Sequence, residues 1–114
     1  MSLYKTEFPN YDDELIIPEG FRDCSYHNDV CPCVCQYFSK GDTEIKIIIW
    51  QDYKDPDNRE YPSASRFAFN IQVNGEDVFL YTTDDWQKVE EMLPCLMVKD
   101  LRNWKNELMG DEYV

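Results

Sequence analysis

The chain has 114 residues, and its 23 Asp and Glu against 11 Lys and Arg give it a formal net charge of −12. Aromatic residues make up 15% of it and only four residues are glycine, whereas disordered acidic chains are poor in aromatic side chains. This charge opposes direct binding of nucleic acid, because a binding cleft has to attract phosphates. Length and composition therefore predict a single folded domain over residues 1–114 with a strongly anionic surface.

The sequence contains no stretch that approaches the roughly 18 apolar residues of a membrane span. Its start, from Met1 to Lys5, lacks the basic and apolar regions of an export signal. We therefore expect a cytoplasmic protein that does not contact a membrane. Its five cysteines are an odd number, which in such a compartment favours reduced thiols over disulfides.

Residues 1–29 are expected to form an irregular N-terminal arm. Pro9 and Pro18 interrupt regular structure, and Glu19 with Gly20 favours a turn. The arm carries apolar side chains that could lie across one side of a core: Tyr4, Phe8, Tyr11, Leu15, Ile16, Ile17 and Phe21. We predict that the arm packs on the domain.

Residues 31–82 alternate between apolar and polar side chains, the pattern of a strand with one face buried. The pattern predicts four antiparallel strands, approximately over residues 31–38, 44–53, 66–73 and 77–82. Asn74 and Gly75 form a two-residue hairpin turn of the type that needs positive φ at both positions. The last two strands should therefore pair directly.

Two helices are expected over residues 84–109. Asp84 and Asp85 place carboxylates where a helix N-terminus has unpaired amides. Pro94 separates two apolar stripes at helical spacing: Trp86, Val89 and Leu93, then Met97, Leu101, Trp104 and Leu108. The predicted fold class is α+β, a four-stranded antiparallel meander sheet with two C-terminal helices packed on one face.

The two faces of the predicted sheet differ. One face carries the side chains that we expect the helices to cover: Ile45, Ile47, Ile49, Phe67, Phe69, Ile71 and Val73. The other face carries Ile48 and Trp50 beside Ala68, Asn70 and Gln72, which is too apolar for simple solvation. We expect the N-terminal arm to cover Ile48 and Trp50, the alternative being a partner or homodimer surface.

A cluster of sulfur and imidazole groups lies just before and within the first predicted strand. Cys24, His27, Cys31 and Cys33 are candidate zinc ligands. Structural zinc sites usually use two closely spaced pairs of ligands, and alternate strand residues lie about 6.6 Å apart, too far to chelate one ion. We therefore favour buried thiols, with no metal and no cofactor, and keep a small zinc-binding protein as the alternative.

No catalytic motif is apparent, so we expect a protein that is not an enzyme. His27 is the only histidine, and next to Asn28 and Asp29 it is more typical of a turn than of a base for a cysteine nucleophile. The sequence contains neither a phosphate-binding glycine loop nor a hydrolase or metalloprotease motif. An uncharacterised structural domain therefore remains a further alternative.

Acidic residues are concentrated in the predicted loops and at the ends of the elements. We predict that a protein partner contacts the longest connection, the first helix start and one exposed aromatic side chain: Asp52, Asp55, Asp57, Glu60, Asp84, Asp85 and Trp50. Carboxylates on a rigid scaffold can imitate the phosphates of nucleic acid and so occupy the groove of a basic nucleic-acid-binding protein. In size, acidity and layout the chain resembles small phage proteins that inhibit restriction or CRISPR enzymes in this way.

A second resemblance rests on segments of the chain read in order: Tyr26-His27-Asn28-Asp29-Val30-Cys31-Pro32, Asp52-Tyr53-Lys54-Asp55-Pro56, Arg59-Glu60, Arg66-Phe67 and Thr83-Asp84-Asp85-Trp86. Their layout looks like that of short acidic proteins without assigned activity that phages, prophages and plasmids encode. The resemblance implies a mobile-element origin. It also implies that Arg59 and Arg66 pair with loop carboxylates and do not act as catalytic groups.

Overall fold

The computed structural model describes residues 3–97, apart from the side chains of Lys40 and of residues 94–97. In chain order its elements are α1 (Leu3–Glu7), β1 (Arg22–Asp23), β2 (Cys33–Lys40), β3 (Thr43–Gln51), a single 3-10 turn (Pro56–Asn58), β4 (Phe67–Val73), β5 (Glu76–Thr83) and α2 (Trp86–Met97). The strands form one antiparallel sheet in the order β1-β2-β3-β4-β5.

The prediction of four strands and two C-terminal helices is wrong. The sheet has five strands, because Arg22 and Asp23 pair with Cys35 and Val34 at the edge of β2. A two-residue strand is too short to show a period of two, which is why the sequence pattern does not reveal it. The broader α+β class is compatible with the structure, and the other four strands lie close to their predicted positions.

The helices also differ from the prediction. α1 lies in the arm that was expected to be irregular, where Tyr4 and Phe8 fall on one helical face and both are buried. Towards the C-terminus, α2 continues through Pro94 without a break. The second helix predicted there falls almost wholly on residues 98–109, which lie outside the described residues.

The hairpin turn between β4 and β5 is confirmed. Asn74 and Gly75 both have positive φ, 52° and 86° respectively. This turn geometry matches the twist of the flanking strands, so β5 returns directly beside β4.

One face of the sheet carries the main core, as predicted. The strands contribute Val34, Ile45, Ile47, Ile49, Phe67, Phe69, Ile71 and Val73, and α2 contributes Val89. The arm packs on this same face through Tyr4, Phe8, Tyr11, Leu15 and Phe21, whereas Ile16 and Ile17 are exposed. The arm and α2 therefore share one side of the sheet.

The expectation that the arm covers Ile48 and Trp50 is met only by the end of the arm, where Cys24 packs against the cluster that contains Ile48. Gln51 lies on the core face, and its side-chain amide exchanges two hydrogen bonds with the backbone of Ile16, at 2.9 and 2.6 Å. The backbone N–H of Tyr4 also donates to Asp23 Oδ2, at 2.8 Å. These bonds hold the earlier part of the arm on the core face. The opposite face carries a second, smaller cluster of Cys33, Cys35 and Ile48, against which Cys24 and Trp50 pack.

No helix within residues 3–97 is long and apolar enough to cross a membrane.

Candidate binding cavity and acidic loops

The antiparallel order brings the two predicted acidic segments to one end of the sheet. β3 ends and β4 begins at this end, and β5 returns to it before α2 starts. The backbone N–H of Asp52 donates to the carbonyl of Arg66 at 2.7 Å, and the N–H of Arg66 donates to Asp84 Oδ1 at 2.8 Å. We call the segment from Asp52 to Arg66 the acidic loop.

The Arg59 side chain stabilises the conformation of the acidic loop by hydrogen bonds to the loop's own backbone. Its guanidinium donates to the carbonyl oxygens of Tyr53 at 2.7 Å, Ala64 at 2.7 Å and Lys54 at 3.3 Å. Asp55 caps the 3-10 turn by accepting from the N–H of Asp57 at 3.0 Å. The loop is therefore an ordered scaffold for its charges, although it lacks regular secondary structure.

Arg66 connects the loop to the N-terminal arm. Its Nη2 lies 2.6 Å from Asp13 Oδ2, and its Nε donates to the carbonyl of Asp52 at 3.4 Å. The Arg66 guanidinium lowers the pKa of Asp13, chiefly through this hydrogen bond. The implied pairing with a carboxylate thus holds for Arg66, with an arm residue as partner, whereas Arg59 bonds to backbone carbonyls.

The predicted contact residues have different roles in the structure. Asp85 caps α2 by accepting from the N–H of Gln87 at 3.0 Å, and Asp84 and Asp55 accept the backbone bonds given above. Asp57 and Glu60 project from the loop and are exposed. Their carboxylates are therefore the part of the predicted contact that is most available to a partner.

Trp50 and Asp52 line a cavity of about 600 Å³ at the same end, on the face of the sheet opposite the main core. Its walls come from the segment before β2, the end of β3, the acidic loop, β4 and the outer strand β5: Asn28, Asp29, Val30, Cys31, Trp50, Asp52, Ser63, Ala64, Ser65, Ala68 and Thr82. The sequence pattern identified Trp50 and Asp52 as contact residues but did not show that they share a cavity.

Asp52 gives the cavity a buried carboxylate. The side chain lies in a residue that is only 8% exposed, and Oδ1 accepts from the N–H of Tyr53 at 2.8 Å. Burial raises the pKa of Asp52, because removal from water disfavours the charged form. Within the described part of the chain, no ion pair involves Asp52.

The cavity thiol is not activated as a nucleophile. Burial raises the pKa of Cys31 far above its ordinary range, and raises that of Cys33 to about 12. Both thiols are therefore protonated near neutral pH, whereas nucleophilic attack requires the thiolate.

Two of the cysteines differ from the prediction of reduced thiols, and two others agree with the prediction of buried thiols. Cys24 and Cys35 form a disulfide, so the prediction that all thiols are reduced is wrong. Cys24 directly follows β1, and the pairing of β1 with β2 brings its Cα to 6.1 Å from that of Cys35, within reach of a disulfide. Cys31 and Cys33 are buried free thiols, as predicted for them.

Three of the four candidate zinc ligands have separate partners, and the fourth, Cys31, is a buried free thiol. Cys24 is in the disulfide, and His27 Nδ1 lies 2.9 Å from Glu7 Oε1. Cys33 Sγ donates to the carbonyl of Cys24 at 3.6 Å. Among the residues that the structure describes, no group of three or more His, Cys, Asp or Glu side chains could hold a metal ion.

No protein-family model matches the chain, and no curated protein or solved structure is significantly similar to it.

Proposed function

We propose that the chain is an acidic protein-binding domain that acts by contact and not by catalysis. Its partner is a basic nucleic-acid-binding protein, whose phosphate-binding surface it occupies. The observation that carries the proposal is the acidic loop, in which Arg59 bonds three carbonyls and leaves Asp57 and Glu60 exposed. An inhibitor encoded by a phage or another mobile element is the kind of protein that this function suits.

Preorganisation and charge support this proposal. A loop already held in one shape loses little conformational entropy when it binds, so more of the contact energy remains as affinity. The net charge of −12 attracts a basic partner over distance and accelerates the encounter. The same charge disfavours direct contact with nucleic acid.

We propose action in the bacterial cytoplasm, where such a partner would be found. Cytosolic thiol systems keep most cysteines reduced, so the Cys24–Cys35 disulfide would be exposed to reduction there. A homodimer is compatible with the proposal, because β5 is an outer strand and Leu80 on it is 61% exposed.

The test compares two charge-reversal variants of equal net charge. Asp57→Lys/Glu60→Lys alters the acidic loop, whereas Asp42→Lys/Glu76→Lys alters exposed residues at the opposite end of the sheet. Each protein is immobilised and exposed to a bacterial lysate, and captured proteins are eluted with a salt gradient and identified by mass spectrometry. A captured protein is then purified, and its binding to labelled duplex DNA is measured with and without the chain.

We expect the wild type and the Asp42/Glu76 variant to capture a basic protein and displace it from DNA, and the Asp57/Glu60 variant to do neither. Equal capture by both variants would exclude the acidic loop as the contact. Failure of the wild type to displace any captured protein from DNA would overturn the proposed function.

A further inference from the structure

We propose that the cavity beside the acidic loop binds the guanidinium or ammonium group of a basic side chain, with Asp52 as counter-ion and the Trp50 ring against the apolar stem. The source of this side chain is the protein partner, and in that respect the inference rests on the proposed function. It adds a specific anchoring contact to a surface otherwise defined by charge.

Asp52 is a buried carboxylate with little direct compensation. Such a group is costly unless a cation or several hydrogen bonds compensate it, and Oδ1 of Asp52 accepts from the N–H of Tyr53. Both nearby guanidinium groups are used elsewhere, Arg59 on backbone carbonyls and Arg66 on Asp13 and the carbonyl of Asp52. The charges of Arg59 and Arg66 act favourably on the Asp52 carboxylate, but neither forms an ion pair with it among the described residues. An external cation would supply a direct counter-ion.

The walls of the cavity suit the apolar stem of a basic side chain. Trp50 is half-buried, and together with Val30, Ala64 and Ala68 it offers apolar surface for the methylene stem of a lysine or arginine. The face of an indole ring also attracts a cation. The cavity volume of about 600 Å³ lies within the range of about 300–1,000 Å³ usual for ligand pockets, so a side chain and part of its backbone fit.

The charges that line the cavity are complementary to a cation. Among the described residues that line the cavity, the charged ones are Asp29 and Asp52, and none is basic. The hydroxyl groups of Ser63 and Ser65 add oxygen acceptors. With a net molecular charge of −12, this lining favours a cation and disfavours an anion such as phosphate.

The experiment follows the indole N–H of Trp50 by NMR in the full chain, assigned from the spectrum of Trp50→Phe. The probe is the blocked tripeptide Gly-Arg-Gly, and the control probe replaces arginine with norleucine, which keeps the stem but lacks the charge. Propylguanidine, which has the charged group without a peptide backbone, tests whether a free small cation is the better ligand.

Two variants probe the site, and a third is the matched control. Asp52→Asn removes the charge but keeps an oxygen that can accept from Tyr53 N–H, and Ala68→Leu fills the cavity without altering Asp52. Asp42→Asn removes an exposed carboxylate at the opposite end of the sheet. The Arg peptide should give saturable shifts, weakened at least about tenfold by Asp52→Asn or Ala68→Leu and unchanged by Asp42→Asn.

Equal binding of the norleucine peptide, or equal weakening by Asp52→Asn and Asp42→Asn, would overturn the inference. Tighter binding of propylguanidine than of the Arg peptide would overturn the assignment to a protein side chain. The proposed function is tested separately, because the lysate and DNA experiments compare variants of the exposed carboxylates and leave the cavity unchanged.

Discussion

Gln51 is the residue that most directly ties the arm to the sheet. It is 1% exposed, and its amide both donates to and accepts from the backbone of Ile16. Replacing it with methionine keeps most of the volume but leaves the N–H and carbonyl of Ile16 without these partners. We expect Gln51→Met to lower the free energy of unfolding by about 1–3 kcal/mol, measured by urea denaturation.

Gln36 provides a matched control on the same face. Its Oε1 is buried and has no hydrogen-bond partner within the described structure. Gln36→Met removes a polar atom that is already unsatisfied, so it should leave stability unchanged or raise it by up to about 1 kcal/mol. Equal losses in the two variants would contradict the role assigned to the Gln51 hydrogen bonds.

Asp52 should make stability depend on pH in a defined direction. Burial raises its pKa in the folded state, so its favourable contribution is complete below the unfolded pKa of about 3.9 and is lost as the pH rises through the folded pKa. Asparagine cannot ionise. Asp52→Asn should therefore melt at a higher temperature than the wild type at pH 7, and the difference should disappear near pH 3. A difference that is constant with pH would show that charge burial is not its cause.

At the scale of elements, the Cys24–Cys35 disulfide ties the end of β1 to β2 and closes the segment that forms one wall of the cavity. Its two cysteines are separated by 11 residues in sequence, for which loss of the cross-link should cost about 2–3 kcal/mol. Cys24→Ala/Cys35→Ala should show this loss in urea denaturation. Reductant should destabilise the wild type by a similar amount and leave the variant unchanged; an unaffected wild type would contradict this prediction.

Elements with a strong local pattern could be predicted from the sequence, and elements fixed by distant contacts could not. β3, β4 and the Asn74–Gly75 turn follow from alternation and turn chemistry within a few residues. β1 depends on pairing with β2, and the arm's position depends on Gln51, 35 residues away from Ile16. The acidic residues of the candidate site could be recognised in the sequence. The cavity could not, because it forms only where residues 28–31 and 63–65 come together in the fold.

At the scale of the whole molecule, acidic side chains lie at both ends of the sheet. Asp42, Glu76 and Asp77 lie at the hairpin end, opposite the acidic loop. A net charge of −12 destabilises the compact state by self-repulsion, and salt screens this repulsion. Raising NaCl from about 0.02 M to about 0.5 M should therefore increase the melting temperature by a few degrees. Calorimetry would measure this increase, and the increase should be smaller in the less acidic variant Asp57→Lys/Glu60→Lys. A lower melting temperature of the wild type at high salt would contradict the prediction.

The arm's attachment to the sheet has a consequence for biosynthesis. Tyr4, Phe8, Tyr11 and Leu15 leave the ribosome before the strands on which they pack, and the receiving face is complete only once Val73 has been added. At about 5–20 residues per second, this aromatic segment is synthesised roughly 3–14 seconds before its binding surface. During each round of translation the nascent chain therefore presents an uncovered apolar stretch, on which a ribosome-associated chaperone can act before the domain closes.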